Sequence, residues 1–255
     1  MQLSEQVVLI TGASRGLGAA IARRFADEGA RVALNYYRSE EKARALAEEI
    51  GPDSALALGA DVRDPEQVRA MADETSEYFG DPVSTAVSNA LVGGYRFDPE
   101  GRAEAGEIAW ARYDEQLRGS VRGSLNVLQA CLPGMREQAF GRVVAIGSNL
   151  VQNPVVPYHD YTTAKAAQLG WVRNMAAELG PDGVTVNMVS GGLLKTTDAS
   201  AATSEEVFGA IESTTPLRKA TTPEEVADAV LFFASPWSRA VTGQNLIVDG
   251  GLVMK

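Results

Sequence analysis

Cysteine is almost missing from the 255 residues: Cys131 is the only one. A lone cysteine forms no internal disulfide, and its apolar setting, VLQACLP, reads as a small buried hydrophobe on a helix. Basic residues are in deficit as well, with 23 Lys and Arg against 33 Asp and Glu and a net charge of -10. A phosphate backbone would be repelled over most of such a surface, which excludes nucleic acid as a partner. No stretch offers 18 uncharged apolar residues, so no membrane span is expected. The first residues lack the basic-then-apolar pattern of a secretory signal, and a cytoplasmic, reduced compartment is the expectation. Low-complexity linkers, charge blocks and solenoid repeats are missing too, so residues 1–255 read as one domain.

What is present is an alternation of two patterns. Short apolar runs rich in β-branched residues stand at 7–10, 31–37, 54–62, 83–90, 141–148, 184–190 and 244–250. Helical patterns fall between them at 18–29, 39–50, 65–79, roughly 108–138, 161–180 and 223–234. Asp64-Pro65 and Thr222-Pro223-Glu224 carry capping signals, because the side-chain oxygen satisfies orphan amides and proline suits the first turn. The runs are apolar throughout and do not alternate, which implies burial on both faces. An α/β fold of Rossmann type is predicted: a three-layer α/β/α sandwich around a seven-stranded parallel sheet. Two stretches, 91–106 and 191–215, are irregular and rich in small residues, and are candidate substrate-side loops.

Between the first run and the first helix lies Thr11-Gly12-Ala13-Ser14-Arg15-Gly16-Leu17-Gly18. Glycines permit a tight turn and close approach of backbone to a ligand, and amides at a helix N-terminus favour a pyrophosphate. With a strand before and a helix after, the loop is a dinucleotide site. The second run ends Asn35-Tyr36-Tyr37-Arg38, without the acid that would bind ribose hydroxyls and repel a 2'-phosphate. Arg15 and Arg38 are placed to receive that phosphate instead, since a planar guanidinium binds phosphate oxygens in pairs. NADPH is therefore the expected cofactor. No metal site is expected.

Tyr161 and Lys165 are four apart in YTTAKAAQLGWVRNMAAEL, a helical segment, so the ammonium falls on the same face as the phenol. A neighbouring cation favours the phenolate and makes the tyrosine a stronger acid.

The spacing TGxxxGxG resembles the signature of the short-chain dehydrogenase/reductase family, and the resemblance runs the length of the chain. Asp61-Val62 is similar to the family's adenine-contacting pair, and Ser88-Asn89-Ala90 to its NNAG segment. Ser148, Tyr161 and Lys165 match its S-Y-x-x-x-K pattern, Tyr falling thirteen positions after Ser. TPLRKATTPEEVADAVLFFAS and VTGQNLIVDGG match its closing segments.

The resemblance implies that Tyr161 donates a proton to a carbonyl oxygen which Ser148 orients. Lys165 would bind the nicotinamide ribose, Asn89 and Ala90 the cofactor, and Thr196 its carboxamide. It also implies a homotetramer. The pattern departs from the family at Leu91, which replaces a glycine, and at Gly191-Gly192, which replaces Pro-Gly. Ser120 stands where an asparagine would hold a water linking the lysine to solvent. His159, the only histidine, reads as a loop or substrate-mouth residue, and Tyr95, Phe97 and Trp110 as packing or a substrate entrance.

The function expected is reduction of a keto group to an alcohol, as in the 3-oxoacyl thioester reductases. The substrate would be a small-molecule carbonyl or an acyl thioester. The alternatives are an NAD-linked alcohol or sugar dehydrogenase and a weakly catalytic cofactor-binding sensor or scaffold.

Overall fold

The computed structural model describes residues 1–195, 197–201 and 203–254. Seven strands, β1 (Val7–Ile10), β2 (Arg31–Tyr36), β3 (Ala55–Gly59), β4 (Thr85–Ser88), β5 (Gly141–Ser148), β6 (Val184–Gly191) and β7 (Asn245–Val248), form one sheet in the order β3-β2-β1-β4-β5-β6-β7. Every pairing is parallel. The order reverses between β1 and β4, which opens a crevice at the carboxyl ends of those strands. β1, β4 and β5 are buried at every position, which explains their largely apolar centres, with polar Thr85, Ser88, Arg142 and Ser148 toward the ends of β4 and β5.

Helices cover both faces: α1 (Gly16–Asp27), α2 (Glu40–Ile50), α3 (Pro65–Phe79), α4 (Trp110–Leu117), α5 (Gly123–Glu137), α6 (His159–Leu179), α7 (Glu205–Thr214) and α8 (Pro223–Ala234). Side chains alternate across the sheet. Val7 and Leu9 pack with the helices α3, α5 and α6, whereas Val8 and Ile10 pack with α1 and α8. The capping signals act as expected. Asp64 accepts from the amides of Glu66 and Gln67, and Thr222 forms a reciprocal capping box with Glu225.

Two expectations are corrected. The helix expected over 108–138 is two helices joined by a wider π-helical turn at Arg118–Arg122. Close packing accounts for the glycines there: a Cβ at Gly119 would stand 2.3 Å from Val92, and one at Gly123 would stand 3.1 Å from Val62. The stretch 191–215 is not wholly irregular. It contains α7, started by Ser204 accepting from Val207 N and by two glutamates in the first turn. Among the described residues no helix is long and apolar enough to cross a membrane.

Candidate active site

The glycine loop leaves β1 and is tied down on both sides. Thr11 Oγ1 accepts from the amides of Asn89 at 2.9 Å and Ala90 at 3.0 Å. The Asn89 amide donates back to the carbonyls of Thr11 and Gly12. On the other flank, Asn35 Oδ1 accepts from Gly12 N at 3.2 Å while its Nδ2 donates to Ala60 O at 3.1 Å, joining the loop to the ends of β2 and β3.

Two glycines are required by contact. Gly12 has φ 64°, and a Cβ on it would lie 2.9 Å from the Ala90 Cα; a Cβ on Gly18 would lie 2.3 Å from the Gly12 carbonyl oxygen. Ser14 is half-buried within the loop, and Gly16 and Leu17 open α1, Leu17 packing on the core. Glycine at those two positions lets the loop turn tightly into the first amides of α1, an arrangement that fits a pyrophosphate.

At the far ends of β2 and β3 the charges are arranged around one ring. Arg38 lies 5.0 Å and Arg63 5.7 Å from the centroid of the Tyr37 ring. Arg63 grips Asp61 with both ends of its guanidinium, at 2.9 Å and 2.7 Å, and holds that carboxyl below its ordinary range. Val62 is buried and its carbonyl accepts from Asn126 at 2.8 Å. Arg38 forms no ion pair among the described residues. Arg15 does: its guanidinium meets Asp198 at 3.1 Å, with both side chains at least half exposed.

Ser148 closes β5, and Tyr161 and Lys165 project from the first turns of α6. All three are buried, with Lys165 only 4% exposed. The Ser148 hydroxyl, which accepts from Leu150 N at 3.2 Å, is near enough to draw the Tyr161 phenol downward, and Lys165 Nζ stands 5.8 Å from the Tyr161 ring centroid. Burial pushes the Tyr161 phenol up to about 12, against the pull of Ser148, and lowers the Lys165 ammonium to about 8. At Tyr161 the shift is set by desolvation against Ser148, so in the cofactor-free chain burial governs the direction. Glycine cradle, Ser148, Tyr161 and Lys165 share the carboxyl end of one sheet.

The family model described as enoyl-(acyl carrier protein) reductase matches residues 12–253. The chain belongs to the short-chain dehydrogenase/reductase family. It is 35% identical over 251 residues to a 3-oxoacyl-[acyl-carrier-protein] reductase FabG of Staphylococcus aureus, covering 96% of this chain and 97% of the relative. It is 33% identical over 256 residues to a probable galactose dehydrogenase GalD of Rhizobium meliloti, covering 98% and 96%. Among solved structures, a blue fluorescent protein from a metagenomic library in complex with NADPH superposes with a TM-score of 0.86 at 33% identity over 100% of both chains. A 3-oxoacyl-[acyl-carrier protein] reductase with bound NAD from Brucella melitensis gives a TM-score of 0.87 at 31% identity over 100% and 94%.

In this short-chain dehydrogenase/reductase an aromatic wall surrounds the tyrosine. Tyr95 stacks on Tyr161 with ring centroids 5.3 Å apart, and Phe97 meets it edge-on at 5.1 Å. Tyr158 contacts both Tyr95 and Phe97. The wall is pinned by buried Asp160, whose carboxylate accepts from the Tyr95 hydroxyl at 3.1 Å and from Arg112 at 3.0 Å. Phe97 N also donates to Ala199 O at 3.0 Å, so the two substrate-side loops meet above the site. Trp110 does not join them; it is 70% exposed and stacks on Tyr113. His159 opens α6 half-buried, and Thr196 lies outside the described residues.

Sequence reasoning missed Asn35, Arg63, Asp160, Ser124 and Gln168. Asn35 lies on a buried strand and Ser124 and Gln168 beside apolar neighbours, whereas Arg63 and Asp160 sit next to polar residues and carry no such signal. Gln168 carried the clearest signal, being three residues past Lys165 on the same helix face.

Proposed function

We propose that this chain reduces a carbonyl group to an alcohol with NADPH. The observation that carries the reading is Ser148, Tyr161 and Lys165 held together at the carboxyl end of the sheet that also carries the glycine loop. When bound, the reduced nicotinamide supplies a hydride to the carbonyl carbon. Ser148 hydrogen-bonds and orients the carbonyl oxygen, and the Tyr161 phenol donates the proton to it. Lys165 holds the ribose hydroxyls and, as a cation, favours the phenolate that Tyr161 leaves.

Gly12, Ser14, Gly16, Leu17 and Gly18 line the pyrophosphate, Asp61 and Val62 the adenine, and Asn89 with Ala90 the base of the cleft. Arg15 and Arg38 take the 2'-phosphate, a preference supported by the missing acid at the end of β2. One solved relative is titled with NADPH and another with NAD, so the preference is tested directly by comparing kcat/KM for the two cofactors.

The substrate is a carbonyl with an apolar flank, because the groups around Tyr161 are aromatic rings and the Tyr95 hydroxyl is already committed to Asp160. A net charge of -10 gives an acidic carrier protein no favourable field, so free ketones and coenzyme A thioesters stand beside a carrier-bound thioester as substrates to test. A second reading, NAD-linked oxidation of a sugar, is favoured by the likeness to the probable galactose dehydrogenase.

NADPH consumption with alkyl and aryl ketones and a 3-oxoacyl thioester, beside galactose with NAD, separates the two readings. Cofactor binding without turnover on any of them supports the sensor reading. In the enzyme, Tyr161→Phe loses at least a hundredfold in kcat while NADPH binding is kept; near-normal turnover overturns the mechanism. The chain is further proposed to work as a cytoplasmic homotetramer, which light scattering and fractionation test.

A further inference from the structure

Behind the catalytic face, Lys165 is held by a chain of buried polar groups that the mechanism above does not use. Its Nζ donates to the Ile146 carbonyl at 2.6 Å and to Gln168 Oε1 at 3.2 Å. Gln168 Nε2 donates to Ser124 Oγ at 2.9 Å, and Ser124 Oγ donates to the Ser120 carbonyl at 2.7 Å. Gln168, Ser124 and Ser120 are each at least nine-tenths buried. Ser120, the residue that stands in place of an asparagine, thus enters through its backbone, and the π-helical turn at Arg118–Arg122 carries that carbonyl. Beside the chain is a cavity of about 10 Å³, room for one water, lined by Thr11, Ser88, Gly119, Ser124 and Gln168. Ser88 Oγ is buried there with no hydrogen-bond partner among the described residues.

A buried ammonium is costly unless oxygen atoms face it. No carboxylate pairs with Lys165 among the described residues, so two neutral acceptors carry that task. Its surroundings leave little else to do so. The Tyr161 phenol is its titratable neighbour on α6. β5 offers the Ile146 carbonyl and, at its distant end, Arg142; β6 has no titratable side chain. From α4, Arg112 is turned to Asp160, Asp114 to Arg118, Tyr113 to Trp110 and Glu115 to Gly93, while Arg122 in the π-helical turn is exposed. α5 reaches the lysine only through the Ser124 bond to Gln168, its titratable residues Cys131, Arg136 and Glu137 lying about two turns or more further on.

We propose that Gln168, backed by Ser124, is the positioning residue that keeps Lys165 charged and aimed at Tyr161, a task the Ser120 side chain does not perform. A water in the adjacent cavity joins Ser88 to the same network. The inference rests on the reductase reading only for its catalytic consequence; its effect on Lys165 exists without substrate.

The test is therefore made twice. In the cofactor-free protein, with lysines isotope-labelled and Lys165 assigned by comparison with Lys165→Met, NMR follows its titration. Gln168→Leu lowers the midpoint by about one pH unit, because an acceptor for the charged form is lost, and Gln168→Glu raises it. Ser124→Ala moves it down by less, and covers the case in which the leucine variant does not fold. In turnover, the alkaline limb of the kcat/KM profile shifts in the same directions, with about a fivefold loss for Gln168→Leu at pH 8. Ser120→Ala costs less than Gln168→Leu. Unmoved Lys165 midpoints, shifts of the same sign for Leu and Glu, or a larger loss from Ser120→Ala overturns the proposal. A wild-type chain that turns over no carbonyl refutes the reductase reading, and the NMR titration still decides Gln168.

Discussion

Arg15 is proposed to receive the 2'-phosphate of NADPH, yet in the structure it faces Asp198 at 3.1 Å. The pair competes with the phosphate for one guanidinium, so Asp198→Asn is expected to tighten NADPH binding. At that separation the attraction is about 1.3 kcal/mol in a water-like dielectric. The side chains are 50% and 63% exposed, and ordering two mobile groups takes back most of that attraction, leaving about 0.2–1 kcal/mol. Release of Arg15 therefore lowers the NADPH Kd by up to about fivefold. Salt with a Debye length of about 8 Å under physiological conditions narrows the gain, so low ionic strength is the better condition. Titration of cofactor fluorescence with NADPH and NADH, in wild type, Asp198→Asn, Arg15→Ala and the double variant, measures the effect. NADPH should tighten in Asp198→Asn, NADH should not, and the gain should vanish when Arg15 is removed. Equal tightening of both cofactors would place Arg15 on the pyrophosphate, and an unchanged NADPH Kd would refute the competition outright.

Gly18→Ala forces a Cβ to within 2.3 Å of the Gly12 carbonyl oxygen, and should cost about 1–3 kcal/mol, a fall of several degrees in Tm, with at least tenfold weaker NADPH binding. Gly170→Ala, in open space within α6, is the control and should raise Tm. Stability should also carry the mark of Lys165. Its folded value of about 8 lies below the ordinary lysine value of 10.5, so between those values the unfolded chain binds more protons and stability rises with pH. Lys165→Met should flatten that rise in denaturant melts taken from pH 7.5 to 10.5.

The architecture was open to reading because it depends on local chemistry. A strand buried on both faces has to be apolar throughout, a helix start needs its amides capped, and a loop that brings backbone against a pyrophosphate needs glycine. Those constraints fixed the parallel sheet, most helix limits, the cradle from Gly12 to Gly18 and the pairing of Tyr161 with Lys165. They failed where packing decided. The helix over 108–138 divides at the π-helical turn, where Gly119 and Gly123 pack close to Val92 and Val62, contacts that the order of residues in the helix does not reveal. α7 went unread because its capping serine sits in a stretch of small polar residues that looks like loop.

In the site, the spacing from Ser148 through Tyr161 to Lys165 follows from one strand end and one helix, so the sequence alone determined it. The partners of those residues come from elsewhere. Gln168 reaches Ser124 across 44 positions, Tyr95 reaches Asp160 across 65, and Asn35 reaches Gly12 across 23. A hydrogen bond of that kind leaves no periodic trace, because it is specified by how two elements pack and not by the order of residues in either. The same holds for charge. Whether Lys165 makes Tyr161 more acidic, or burial makes it less so, depends on how much water each side chain loses, and only the folded chain sets that.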